Sequence, residues 1–120
     1  MTDVLNITLA VLTIGFGAFG WLAPRFTASV LDLKPGQTTM GLSELRASVG
    51  CLFVVTAAAA LFLDDPMAWV MLGIVYAGAA AGRLTSCLLD RPTTTKAWIY
   101  FGVEAVMAAP LILLNLPLRA

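Results

Sequence analysis

Four ionisable side chains, Glu44, Arg46, Arg83 and Glu104, stand inside stretches of the chain that are otherwise apolar. If those stretches cross a bilayer, each charge costs about 2.5–3.5 kcal/mol at the membrane centre and needs a partner or a route to water. Two chemistries would use such groups. An arginine with spare N–H donors can hold an anionic headgroup or a carboxylate, and a glutamate can change protonation during transport. The structural alternative is an ion pair that fixes the register of helices which have no hydrophobic force drawing them together in lipid. All three readings stay open at this level.

The composition narrows the field around those residues. Of 120 residues, 60% are hydrophobic and 12% charged, with seven acidic groups balancing seven basic ones; mean hydropathy is +0.92. An ordinary soluble domain carries about 25% charge, and a disordered chain combines low hydrophobicity with high net charge, so both are excluded. The lack of net positive charge or a Lys/Arg cluster leaves nothing to hold a phosphate backbone, and no nucleic-acid partner is expected. There is no histidine, and Cys51 and Cys87 are isolated, so neither a metal nor a cofactor is expected. Serines and threonines form no nucleophile-and-base arrangement, and the chain reads as a non-enzyme.

Stretches of roughly 20 apolar residues suit a hydrocarbon core about 30 Å thick. They place helices at about 4–23, 41–63, 67–89 and 97–118, bounded by Pro24-Arg25, Asp64-Asp65-Pro66 and Asp90-Arg91-Pro92. The expected fold is an all-α, transmembrane, up-down four-helix bundle, with residues 1–120 as a single integral membrane domain. Asp3 stands where a signal peptide would be basic, so the first segment reads as a retained helix. Pro110 and Pro117 fall inside the fourth segment, with a kink expected near Pro110. Between the first two helices, Phe26, Val30, Leu31 and Leu33 suit either a short amphipathic turn ended by Lys34-Pro35-Gly36 or a plain connector.

Lys and Arg in short loops set orientation. Arg25, Lys34, Arg91 and Lys96, with Arg46 nearby, gather on one side, against Arg119 and the acidic Asp64-Asp65 turn on the other. The basic side is expected in the cytoplasm of a bacterium, with the protein in the inner membrane and both termini outside.

At about 1.5 Å per residue, Glu44 and Arg46 lie within roughly 8 Å of the cytoplasmic helix end, Arg83 about 9–11 Å in and Glu104 about 11 Å in. Arg83 and Glu104 form the leading expected pair in a near-neutral network of four. Glu44 and Arg46 are about 200° apart around an α-helix, so only one can point inward. Glu44, on the face of Ser48 and Cys51, is the favoured one. Tyr76, Ser86 and Cys87 extend the polar lining on the Arg83 side, and Tyr100 lies one turn before Glu104. Gly15, Gly17 and Gly20 thin one side of the first helix, and Gly78 with Gly82 forms a GxxxG; both suit close packing within the chain or a dimer face. Trp21, Trp69 and Trp98, near span ends, read as interfacial anchors.

The run Gly41-Leu42-Ser43-Glu44-Leu45-Arg46-Ala47 followed by Gly50, with Gly82-Arg83 and Glu104, resembles the signature of a family of small bacterial four-helix membrane proteins of unknown function, loosely related to DoxX-like proteins. That family often has an aromatic residue and a second glycine where this chain has Val49 and Cys51. The resemblance implies a fold and supplies no activity. The expected function is a small binding or accessory membrane protein. Its partners would be the lipid bilayer and a lipid-like or small anionic ligand, or else a membrane-protein subunit or a second copy of the chain. The alternative is a proton-coupled small-molecule transporter working as a homodimer.

Overall fold

A computed structural model describes residues 2–34 and 36–116. Pro35, Pro117, Leu118 and Arg119, used above to bound a loop and the last span and to count charge, lie outside the described residues. The described chain is helical, without strands: α1 (Thr2–Leu22), α2 (Pro24–Val30), α3 (Met40–Leu63), α4 (Pro66–Leu89) and α5 (Thr95–Leu113). Four of these are long and apolar enough to cross a membrane, and only 17–33% of each apolar window is buried. Phe62, Leu89, Val106 and Leu113 are each more than two-thirds exposed. Water would not tolerate so much contiguous apolar surface on a small monomer, and lipid would.

The helix ends follow from local chemistry. Pro24, expected only as a stop, is the first residue of α2, where its missing N–H is no loss. Asp65 caps α4 by accepting from the Met67 N–H at 2.8 Å, with Pro66 next in line. Thr94 caps α5 through the Ala97 N–H at 3.1 Å. Helix α1 begins two residues earlier than expected and takes in Asp3, while α5 starts at Thr95 and runs through Pro110 to Leu113.

The chain divides into two compact units, one of residues Asp3–Phe62 and one running on from Leu63. In the first, α1 and α3 meet backbone to backbone. A Cβ on Gly17 would stand 2.8 Å from the Gly50 carbonyl oxygen, and one on Gly20 would stand 2.9 Å from that of Val49. Gly15, grouped with them from the sequence, has no such neighbour. Between these helices, α2 ends in a Schellman motif: Leu33 N–H donates to Ala28 O at 2.8 Å and Asp32 N–H to Ser29 O at 3.2 Å. Asp32 takes the left-handed conformation, φ 58°, that glycine usually fills there. The segment offered above as a turn or a connector is therefore a short helix.

Helix α3 is not α-helical throughout. Residues Leu45–Cys51 form a π-turn, where each N–H reaches back five residues in place of four. Ser48 Oγ donates to the Glu44 carbonyl at 2.6 Å, at the start of this turn. A side chain entering the carbonyl ladder is a recognised source of helix distortion.

In the second unit, α4 and α5 form an antiparallel hairpin. Trp69, Gly73, Tyr76, Ala80, Arg83 and Cys87 recur at alternate steps of four and three, the spacing of one helix face. On α5, Tyr100, Glu104, Met107 and Leu111 make the corresponding row. The closest approach is at Gly73, where a Cβ would stand 2.9 Å from that of Leu111 and 3.1 Å from the Ile112 nitrogen. Within this unit Gly78 and Gly82 have no atom within 4 Å of such a position. Trp69, read above as an interfacial anchor, is only 3% exposed, and its indole N–H donates to Asp64 at 3.3 Å. Asp64 itself takes the left-handed conformation, φ 45°, just ahead of α4. Trp21 and Trp98 remain exposed.

Candidate functional site

Four charged residues singled out in the sequence fall two in each unit. In the second, Arg83 Nε donates to Glu104 Oε1 at 2.9 Å, and the two side chains are 35% and 14% exposed. The Arg83 guanidinium also lies 5.5 Å from the centre of the Tyr100 ring. Tyr100 is one turn before Glu104 on α5, so the ring and the carboxylate present themselves together. The cation is held by an acid and by an aromatic quadrupole at once. Tyr76 and Cys87, on the Arg83 row, are buried. Ser86 turns its hydroxyl to Asp90 at 2.7 Å, so it serves the helix end.

In the first unit neither Glu44 nor Arg46 is buried. They line different clefts on two sides of α3. One, of about 320 Å³, places Glu44 and Ser48 with Lys34, Ala28 and Leu33. The other, of about 500 Å³, places Arg46 with Trp21, Thr39, Ser43, Ala47 and Cys51. Leu42 borders both. The sequence put Cys51 on the face of Glu44 and Ser48. It lies with Arg46 instead, because a π-turn stacks residue i+5 over residue i.

Arg46 Nη1 donates to the Trp21 carbonyl at 2.6 Å. Trp21 lies in the last turn of α1, where carbonyls lack helical partners, and a cation complements the negative end of the helix dipole. Guanidinium carries five N–H donors. The bond to Trp21 uses one and anchors the group, and no carboxylate among the described residues of the unit pairs with Arg46. Lys34 shares its cleft with Glu44, and Arg83 is neutralised by Glu104. The cleft at Arg46 is thus the one whose lining pairs a cation with no acid.

Sequence reasoning does not single out the two hydroxyls of this cleft: Thr39 is not named there, and Ser43 stands only within the resemblance run. Thr39, Ser43 and Arg46 follow one another at steps of four and three, the same periodicity that grouped Tyr100 with Glu104. Attention to hydroxyls as well as charges would have found them.

The arrangement of small residues and charges across α1 and α3, together with the Arg83–Glu104 hairpin, accompanies a family match over residues 1–115. The chain belongs to the DUF4345 family, a domain of unknown function. Neither a curated protein nor a solved structure matches this DUF4345 chain. For this DUF4345 protein, chemistry has to be read from the side chains themselves. They offer one cleft lined by the cation Arg46 without an acid and one neutral ion pair at Arg83.

Proposed function

We propose that this multi-pass membrane protein binds a lipid-like or small anionic ligand at Arg46 and performs no catalysis. The observation that carries the reading is the charge balance of the three cationic sites described above. Arg83 has Glu104, Lys34 has Glu44 across its cleft, and Arg46 has only a carbonyl. An anion completes the coordination of Arg46 and adds the charge-assisted bonds that a neutral carbonyl supplies weakly. We place the protein in a bacterial inner membrane, with Arg25, Lys34, Arg91 and Lys96 on the cytoplasmic side and both termini outside. The loop charge bias supports that orientation.

The test is anionic-ligand retention by the full chain in nanodiscs of uncharged lipid. Arg46→Gln, which keeps an N–H donor, is expected to lose the ligand, and Arg83→Gln to keep it. Loss at Arg83 with retention at Arg46 would move the site to the second unit and sink this reading.

A further inference from the structure

We propose that the anion at Arg46 is a phosphate ester, gripped at three points by Arg46, Ser43 and Thr39. This rests on the anion-binding reading of the same cleft and narrows it to one ligand chemistry.

The first support is the state of the hydroxyls. Thr8, Thr13, Ser48, Thr56 and Thr85 each donate to a carbonyl one helical turn back, at 2.6–2.8 Å. That is the usual way for a hydroxyl in a membrane helix to be satisfied locally. Ser43, with the Thr39 carbonyl one turn behind it, makes no such side-chain bond among the described residues, and neither does the Thr39 hydroxyl. Both residues are exposed and line the cleft that holds Arg46.

The second support is stoichiometry. A carboxylate has two oxygens in one plane, and an arginine fork that faces both leaves only the outer lone pairs of that plane for the two hydroxyls beside it. A phosphate ester sets its non-bridging and ester oxygens at the corners of a tetrahedron, out of any one plane, which matches a guanidinium plus two hydroxyl donors at successive turns of one helix face. The bond from Arg46 to the Trp21 carbonyl fixes the guanidinium before any ligand arrives, so less side-chain freedom is lost on binding.

The third support is the remainder of the cleft. Its volume of about 500 Å³ exceeds what a phosphate alone would fill, and Trp21, Leu42 and Ala47 supply an apolar wall for the rest of an ester. Arg46 is the seventh residue of a helix that starts at Met40, so it lies about 9 Å from the helix end, within reach of the headgroup level. A membrane phosphodiester and a soluble phosphate ester share this chemistry.

The experiment uses native mass spectrometry of the full chain in nanodiscs of phosphate-free galactolipid, with added dioleoyl phosphatidylglycerol, oleate or inorganic phosphate. At about pH 9, above the range to which the membrane interface raises a fatty-acid carboxyl, phosphatidylglycerol and oleate carry one negative charge each, so the comparison isolates the acid group from the charge. Phosphatidylglycerol is expected to bind at least about tenfold more tightly than oleate, and Ser43→Ala and Thr39→Val each to weaken it about fivefold. Ser43→Ala should leave thermal unfolding unchanged, because its hydroxyl has no partner to lose among the described residues. Displacement of the lipid by inorganic phosphate supports the proposal with a soluble ester as the source. Resistance to phosphate, with the selectivity over oleate kept, supports it with the lipid as the source. Equal binding of oleate and phosphatidylglycerol, still dependent on Arg46, would overturn the phosphate assignment and leave anion binding standing. So would indifference to both hydroxyl variants. Absence of any Arg46-dependent binding would remove the two readings together.

Discussion

Gly50 lies so close to Gly20 that a Cβ placed on it would stand 2.6 Å from the Gly20 carbonyl carbon and as near to the Trp21 Cα. Both obstacles are backbone, which cannot rotate away as a flexible side chain would. Gly50→Ala is therefore expected to force α1 and α3 apart and to cost about 2–3 kcal/mol. Gly102, in α5, has nothing within 4 Å of its Cβ position. Gly102→Ala should be neutral or raise stability by up to about 1 kcal/mol. Thermal unfolding of both variants in the same detergent checks the contrast, and equal melting would refute the close approach.

In the Arg83–Glu104 pair only 35% of the arginine side chain and 14% of the glutamate side chain are exposed. Removing one partner strands the other, so Glu104→Ala and Arg83→Ala are each expected to destabilise the hairpin by about 1–3 kcal/mol. The charge swap, Arg83→Glu with Glu104→Arg, should recover part of that loss. It should not recover all of it, because the guanidinium then leaves the face of Tyr100. A double-mutant cycle on unfolding free energies measures the coupling. Additive single effects would mean that the pair contributes no interaction of its own.

The parts of this architecture that follow from periodicity and punctuation could be read from the sequence. The four long helices came from apolar run length, and their limits from Pro24, Asp64-Asp65-Pro66 and Asp90-Arg91-Pro92. The pairing of Arg83 with Glu104 came from depth along two antiparallel helices. Hydrogen-bond register was another matter. No residue type announces the π-turn at Leu45–Cys51, yet it moves Cys51 from the face of Glu44 to that of Arg46. Glycine spacing alone did not locate the close approach in the hairpin, since GxxxG at Gly78 and Gly82 marks no close contact in its unit, whereas the lone Gly73 does. A glycine shows that approach is possible, and only the facing residue decides whether it happens. The clefts of the first unit needed both the register and the fold of α2, so their lining was the least accessible from sequence.

Gly73 and Gly82 provide a direct comparison on one helix. A Cβ at Gly73 would press on Leu111 and Ile112, so Gly73→Val should lower the unfolding temperature clearly, at a cost of about 1–3 kcal/mol. Gly82→Val in the monomeric protein should change it by no more than about 0.5 kcal/mol. Comparable destabilisation by the two would show that the hairpin packs on a different face of α4.

Asp32 holds a left-handed backbone at φ 58° so that the Leu33 N–H can reach the Ala28 carbonyl and close α2. A short polar side chain tolerates that conformation, and a β-branched one clashes with its own backbone there. Asp32→Val is expected to cost about 1–2 kcal/mol, while Asp32→Gly and Asp32→Asn keep the turn. The damage should be local. Leu33 and Ala28 both line the cleft that contains Glu44, and neither borders the one that contains Arg46. Hydrogen exchange should therefore report faster opening of the amides of Asp32 and Leu33 in Asp32→Val, while Arg46-dependent ligand binding stays within about twofold of the parent protein. If the amides exchange as before, the Schellman bonds do not control the end of α2.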